Sequence, residues 1–123
     1  MLSVSALITL GITQLCKHTI FKDEHRPSYY YEHLSLVDGT EQHKNNSFPS
    51  GHTGAAFTFA TIIALIYEYR LLQYILPVLA SLVAISRIYL GQHFLMDVLV
   101  GGILGIFIAS ISYMLISTHW SNK

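Results

Sequence analysis

Apolar residues are concentrated in four long segments of the chain, with shorter polar stretches between them. The last segment is the clearest, because residues 98–122 include no Asp, Glu, Lys or Arg over 25 positions. About 20 apolar residues are enough to cross a bilayer as a helix, whereas the alternative, a soluble all-α domain with buried helices, rarely needs so long an uncharged run. The pattern therefore predicts an all-α integral membrane helical bundle with about four transmembrane helices, as a single domain over residues 1–123. The four segments cover approximately residues 2–16, 54–67, 71–90 and 94–117.

Two glycines in the fourth segment, Gly101 and Gly105, are spaced four residues apart. Small residues at that spacing allow membrane helices to approach each other closely. The alternative is that glycine is simply tolerated in membrane helices, and the sequence does not separate the two interpretations.

Charged side chains are scarce and unevenly placed along the chain. Seven basic and seven acidic residues make up 11% of the sequence, against about 25% in soluble domains. Nine of these 14 charges lie between Lys17 and Lys44, in a polar loop over about residues 17–49. A hydrophobic content of 52% argues against a disordered chain. The balanced charge offers no surplus of cations, so we expect no nucleic-acid partner.

Several residues suited to chemistry lie at one end of the predicted helices. If all four segments cross the membrane, the polar loop and the turn near Gly91 lie on the same face. Arg87, His93 and Asp97 flank that turn, and charges at membrane depth are costly unless they are paired or hydrated. His93 and Asp97, four residues apart, share one helical face. The carboxylate could prepare His93 for nucleophilic attack, or the pair could be a structural hydrogen bond between helices.

The sequence Pro49-Ser50-Gly51-His52 has the features of an anion site at the start of a helix. Proline favours the first helical turn, glycine allows close approach of the backbone, and the free N–H groups of that turn bind phosphate. An ordinary helix start with a capping serine is the alternative.

Cationic side chains complete this pattern. Arg26 in the polar loop and Arg87 after the third segment carry guanidinium groups, whose paired donors match phosphate oxygens. Lys17 or Lys22 could add a point charge. The nearby string Asn45-Asn46-Ser47 matches a glycosylation acceptor, a match that is common by chance.

Two strings at fixed spacing resemble the signature of the type 2 phosphatidic acid phosphatase superfamily. The family's second motif occurs here without deviation as Pro49-Ser50-Gly51-His52. Its third motif is Ser-Arg, five spacers, His, three spacers and Asp, and this string is highly specific. It is matched in full by Ser86, Arg87, His93 and Asp97.

The family's first motif, Lys followed by six spacers and Arg-Pro, is matched only in part. Arg26-Pro27 fits, but the residue six spacers before Arg26 is Thr19 rather than lysine. The local string looks like the motif with two residues inserted, so we assign the lysine role to Lys17. Lys22 is the alternative.

The resemblance implies a metal-independent phosphatase without a cofactor, which removes phosphate from a lipid phosphate or diphosphate at the membrane interface. In this scheme His93 attacks phosphorus and forms a phosphohistidine, Asp97 orients His93, and His52 acts as proton donor and then as base. The phosphate-binding residues implied by the resemblance are Lys17, Arg26, Ser50, Gly51 and Arg87.

The resemblance also bears on architecture and location. Membrane members of the family commonly have about six spans, so this chain resembles a minimal member or a truncated six-helix core. Lipid-facing surface left uncovered in such a chain would call for a homo-oligomer or partner helices. The implied location is a bacterial plasma (inner) membrane, with the active site on the non-cytoplasmic face.

Three other functions remain open from the sequence. The chain could be a non-catalytic fragment or pseudoenzyme that binds phosphate headgroups or packs with a partner. His52, His93 and Asp97 could instead form a zinc site. A transporter with an intramembrane His–Asp proton relay is the third alternative, although it leaves the Pro-Ser-Gly-His string unexplained.

Overall fold

The computed structural model of the chain describes residues 2–30 and 44–121, and every regular element in these two ranges is a helix. The four long helices confirm the four predicted segments, while residues 31–43 of the predicted polar loop lie outside the described ranges. The short second helix was not predicted, and its start at a proline agrees with the preference of that residue for the first turn. The helices are α1 (Leu2–Thr19), α2 (Pro27–Tyr30), α3 (Gly51–Ile66), α4 (Arg70–Tyr89) and α5 (Leu95–Ser121).

Two of the helices are long and apolar enough to cross a membrane. They are α4, with a mean hydropathy of 1.8, and residues Leu95–Thr118 of α5, with a mean hydropathy of 2.2. The helix α3 is apolar but has only 16 residues, and α1 has 18. Large apolar side chains on all four helices are exposed on the outside of the bundle, as expected where lipid tails rather than water surround the protein.

Helix α3 lies at the centre of the bundle and contacts α1, α4 and α5. Its closest partner is α5, because Gly101 and Gly105 of α5 lie directly against the backbone of α3. A Cβ atom at Gly101 would overlap the carbonyl oxygen of Ser50, and one at Gly105 would overlap that of Gly54. The two glycines therefore serve close helix packing, which decides between the interpretations that the sequence left open.

The interior combines buried apolar side chains such as Ile62 and Ile108 with a row of small polar ones between α1 and α3. Along α1, Ser5, Thr9, Thr13 and Lys17 recur every four residues and are all buried, as one helical face requires. The Oγ1 atoms of Thr9 and Thr58 lie 2.9 Å apart across the contact between α1 and α3. This hydroxyl-lined interface leads along the bundle to Lys17.

The turn between α4 and α5 brings the end of one helix next to the start of the other. Gly91 adopts a left-handed conformation with a φ of 63°, which glycine allows without steric cost. The backbone N–H of Gln92 donates to the carbonyl of Arg87 at 3.1 Å. As a result, Arg87 at the end of α4 and His93 just before α5 lie at the same end of the bundle.

Candidate active site

A cavity of about 600 Å³ opens at the end of the bundle where the polar loop and the turn at Gly91 meet. As the alternation of segments predicts, these two connections lie on the same side. Side chains from α1, the polar loop, α3, α4 and the Gly91 turn enclose the cavity. Its lining consists of Leu10, Gln14, Lys17, Arg26, Gly51, His52, Ala55, Arg87, Gln92 and His93.

Three cationic side chains line this cavity. Lys17, on the last turn of α1, is only 7% exposed. Arg26 is anchored by its Nε, which donates to the carbonyl oxygen of Asn45 at 2.9 Å. Arg87 donates weakly to Gln92 Oε1 at 3.3 Å, and its buried Nε has no hydrogen-bond partner among the described residues. Three positive groups and an unpaired donor make the cavity suitable for an anion.

The structure also separates the two lysines considered for the first motif. Lys17 is buried in the cavity wall, whereas Lys22 is exposed beyond the end of α1 and does not line the cavity.

Burial lowers the pKa of the Arg26 guanidinium below its ordinary value; Asp97 opposes this shift, and the positive charge of Arg87 adds to it. The arginine still carries its charge at neutral pH, because its ordinary pKa is far above 7.

His93 and Asp97 form a buried pair at the back of the cavity. His93 is 2% exposed, and its Nδ1 lies 3.4 Å from Asp97 Oδ2. This separation is long for a hydrogen bond. Because Nδ1 faces Asp97, the other ring nitrogen, Nε2, is left for the cavity. Burial lowers the pKa of His93, while the contact with Asp97 opposes that shift, so the ring is neutral at pH 7.

The start of α3 supplies the remaining wall of the cavity. His52 is exposed in the first helical turn and lines the cavity together with Gly51. The N–H groups of a first turn have no partners within their own helix, so they are free to bind an anion.

Ser50 and Asp97 are the two predicted site residues that do not line the cavity. Asp97 lies behind His93, and its orienting role stays a prediction. Ser50 is fully buried, and its Oγ lies 3.0 Å from Thr53 Oγ1 without making a capping hydrogen bond. Its backbone N–H donates to the carbonyl of Asp97 at 2.9 Å, so in this structure Ser50 joins α3 to α5.

Within residues 2–30 and 44–121, no group of three or more His, Cys, Asp or Glu side chains is placed to hold a metal ion. The zinc arrangement considered from the sequence required His52, His93 and Asp97 to converge on one ion. They do not form such a group, and metal-independent chemistry stays a prediction for experiment.

Ser47 and Gln92 belong to the surroundings of the site but were not predicted. Ser47 is 1% exposed, and its Oγ donates to Asp97 Oδ2. In the sequence Ser47 was notable only as part of a glycosylation match, whose acceptor residue would be Asn45. No signal in the sequence pointed to the contact of Gln92 with Arg87.

Comparison with known proteins decides the family. The profile of the PAP2 superfamily matches residues 1–121. The chain belongs to this superfamily. The resemblance seen in the second and third motifs is thereby confirmed, and so is the all-α integral membrane fold, since solved PAP2 structures share it.

Individual PAP2 relatives support the same assignment. Lipid A 1-phosphatase from Porphyromonas gingivalis is 41% identical over 78 residues, which are 62% of this chain and 17% of that protein. The crystal structure of Aquifex aeolicus LpxE matches with a TM-score of 0.80 at 33% identity, covering 92% of this chain and 65% of that one. A transmembrane PAP2-type phosphatidylglycerolphosphate phosphatase from Bacillus subtilis matches with a TM-score of 0.68 at 26% identity, covering 92% and 58%. The chain thus spans less than two thirds of each of these relatives.

Proposed function

We propose that this PAP2 protein is a metal-independent phosphatase that removes phosphate from a lipid phosphate or diphosphate at the membrane interface. The observation that carries the proposal is the cavity itself, in which three cations face a buried imidazole backed by a carboxylate. Lys17, Arg26 and Arg87, together with Gly51 at the start of α3, would hold the phosphate oxygens and stabilise the charge that develops in the transition state.

In the first step, Nε2 of His93 attacks phosphorus. A nitrogen–phosphorus bond forms as the bond from phosphorus to the lipid oxygen breaks, and His93 becomes a phosphohistidine. His52 donates a proton to the departing lipid oxygen. Asp97 keeps the proton of His93 on Nδ1 and stabilises the positive charge that the ring acquires during attack.

In the second step, water attacks the phosphohistidine. His52, now without its proton, accepts one from the water, and the nitrogen–phosphorus bond breaks. Inorganic phosphate leaves, His93 is restored and His52 is again protonated. Each group returns to its starting state, so no further reactant is needed.

The location of the cavity at one end of the bundle supports a lipid substrate. A phosphate headgroup can enter the cavity from the interface while its apolar tail stays beside the exposed surfaces of the helices. We propose that the protein lies in a bacterial plasma membrane with the cavity on the non-cytoplasmic face. The three bacterial relatives named above support the bacterial part, whereas a plant protein of similar identity does not. Labelling of a Lys22→Cys variant with an impermeant maleimide, in a Cys16→Ser background, tests that orientation. If Lys22→Cys is labelled only after the membrane is opened, the cavity lies on the cytoplasmic face instead.

The proposed reaction is tested by phosphate release from a lipid phosphate in detergent, with purified wild type, His93→Ala and His18→Ala. We expect release by wild type and His18→Ala, because His18 is exposed outside the cavity. His93→Ala should release none. Equal release by His93→Ala would contradict the proposed nucleophile.

A non-catalytic headgroup-binding module is the second candidate, since the chain spans only part of each relative. In that case wild type would bind a lipid phosphate without releasing phosphate. Partner helices or a second copy would suit either function, because Ala80 is the one buried residue of α4 and most of that helix is left uncovered. The mass of the purified protein in detergent tests whether it self-associates.

A further inference from the structure

The carboxylate of Asp97 is held by more than its contact with His93. Its Oδ2 accepts a hydrogen bond from the backbone N–H of Phe94 at 2.9 Å and another from the hydroxyl of Ser47. The Phe94 contact comes from the same helix start as Asp97 itself. Ser47 belongs to a different part of the chain, 50 residues earlier.

The place of Ser47 is set by pairing between the two ends of the polar loop. The backbone N–H of Ser47 donates to the carbonyl of Glu24 at 3.2 Å, and that of Arg26 donates to the carbonyl of Lys44 at 3.0 Å. Just before Ser47, Asn46 has a φ of 59°, a left-handed conformation that asparagine tolerates better than most residues. These contacts direct the Ser47 hydroxyl inward, away from solvent.

The same short segment also holds a cation of the cavity. Asn45, two residues before Ser47, accepts the hydrogen bond from Arg26 Nε through its carbonyl oxygen. Residues 45–47 therefore contact Arg26 on one side and Asp97 on the other. Their position therefore fixes two things: where the Arg26 guanidinium lies in the cavity, and how the Asp97 carboxylate is oriented behind His93.

We propose that Ser47 is a positioning residue for the reaction: its hydroxyl fixes the Asp97 carboxylate in the orientation that holds His93 for attack. This inference rests on the proposed function. Ser47 does not line the cavity and contacts no substrate in this scheme, so it acts only through Asp97. Residues that orient a metal ligand through a hydrogen bond typically change activity by about 10- to 100-fold when removed, and we expect a change of similar size for a residue that orients Asp97.

The test compares wild type with Ser47→Ala and Ser47→Cys in the phosphate-release assay. We expect kcat of Ser47→Ala to fall about 10- to 100-fold, with KM unchanged because the cavity lining is intact. Ser47→Cys keeps the size of the side chain but offers only a weak donor, so its kcat should also fall. If Ser47→Ala does not fold, Ser47→Cys tests the inference in its place. Ser110→Ala, which removes a hydroxyl bonded only to its own helix, is the matched control.

A second measurement separates this inference from the proposed reaction. NMR spectra of ¹⁵N-histidine protein report which ring nitrogen of His93 carries the proton, with the signals assigned by their loss in His93→Gln. We expect the proton on Nδ1 in wild type and a mixture of the two ring forms in Ser47→Ala. If the wild type releases no phosphate, the proposed reaction is wrong. The role of Ser47 is then tested only by which nitrogen of the His93 ring carries the proton. An unchanged ring form in both Ser47 variants, or an unchanged kcat in both, overturns the inference.

Discussion

The close contact between Gly101 and Ser50 predicts that a larger residue at position 101 will lower activity by displacing the start of α3. A methyl group at position 101 would overlap the Ser50 carbonyl oxygen and would lie 3.2 and 3.3 Å from the Ser50 carbonyl carbon and nitrogen. These are backbone atoms, which cannot turn aside as a side chain can. In Gly101→Ala, the start of α3 must therefore move away from α5.

The size of this effect follows from the geometry. Restoring ordinary contact needs a displacement on the order of 1 Å, and a misplacement of that size costs about 100-fold in rate. The displaced segment carries Gly51 and His52 and donates the Ser50 N–H to the Asp97 carbonyl. Overpacking of this kind also destabilises a protein by about 1–3 kcal/mol. We therefore expect kcat/KM to fall about 100-fold together with a lower unfolding temperature.

Gly11→Ala is the matched control, because a Cβ atom at Gly11 meets nothing within 4 Å. Alanine there should stabilise α1 by up to about 1 kcal/mol and leave phosphate release unchanged. Both variants are compared by steady-state release from a lipid phosphate and by circular dichroism during heating in detergent. If Gly101→Ala matches Gly11→Ala in kcat/KM, the interface between α3 and α5 does not control the geometry of the site.

Other predictions concern the charges, the pH dependence and metals. Lys17→Met should lower kcat/KM about 10- to 100-fold through loss of a charged hydrogen bond, while Lys22→Met should have no effect in the same assay; the reverse result would move the motif lysine to Lys22. Because burial lowers the pKa of His93 below its ordinary 6.5, His93 stays neutral as pH falls through 6.5, so the acidic limb of the kcat/KM profile should lie below that pH. Burial and the nearby cations also lower the pKa of His52, so the protonated His52 that the scheme requires is lost as pH rises. The profile should therefore be bell-shaped, with its optimum on the acidic side, and a flat profile from about pH 5 to 9 would contradict these roles. Activity should survive EDTA, and a loss that zinc restores would instead favour a metal site.

The main elements of the fold were predictable because length and hydropathy control them. The charge-free run in the fourth segment required a long helix, and Pro49 correctly indicated that α3 begins just after it. Helix α2 was not predictable, since four residues are too few to show periodicity. Whether Gly101 serves close helix packing or is simply tolerated could not be decided from the sequence, because its partner, the Ser50 carbonyl, lies about 50 residues away in the chain.

The site was predictable where one motif supplied neighbouring groups, and less so where distant segments meet. His93 and Asp97 were readable as a pair from their spacing on one helix start. The choice of Lys17 over Lys22 could have been strengthened, because Thr9, Thr13 and Lys17 follow a period of four on one face of α1. No spacing along a helix indicates the contact of Ser47 with Asp97, since that contact depends on how the two ends of the polar loop pair.

The hydroxyl-bearing face of α1 has a consequence for how the protein enters a membrane. Taken alone in lipid, α1 would expose the charged Lys17, which is costly at membrane depth. The hydroxyls of Thr9 and Thr13 donate to carbonyls of their own helix, so what they lose without α3 is close packing and the contact with Thr58. The hydrogen bond between Thr9 and Thr58 becomes available only when α3 is already beside it. Stable insertion of α1 therefore depends on the arrival of a later segment, so biogenesis of this bundle should be cooperative between helices rather than strictly sequential. Truncation before α3 should accordingly leave α1 poorly retained in the membrane, as measured by carbonate extraction, while stable retention would show that α1 inserts by itself.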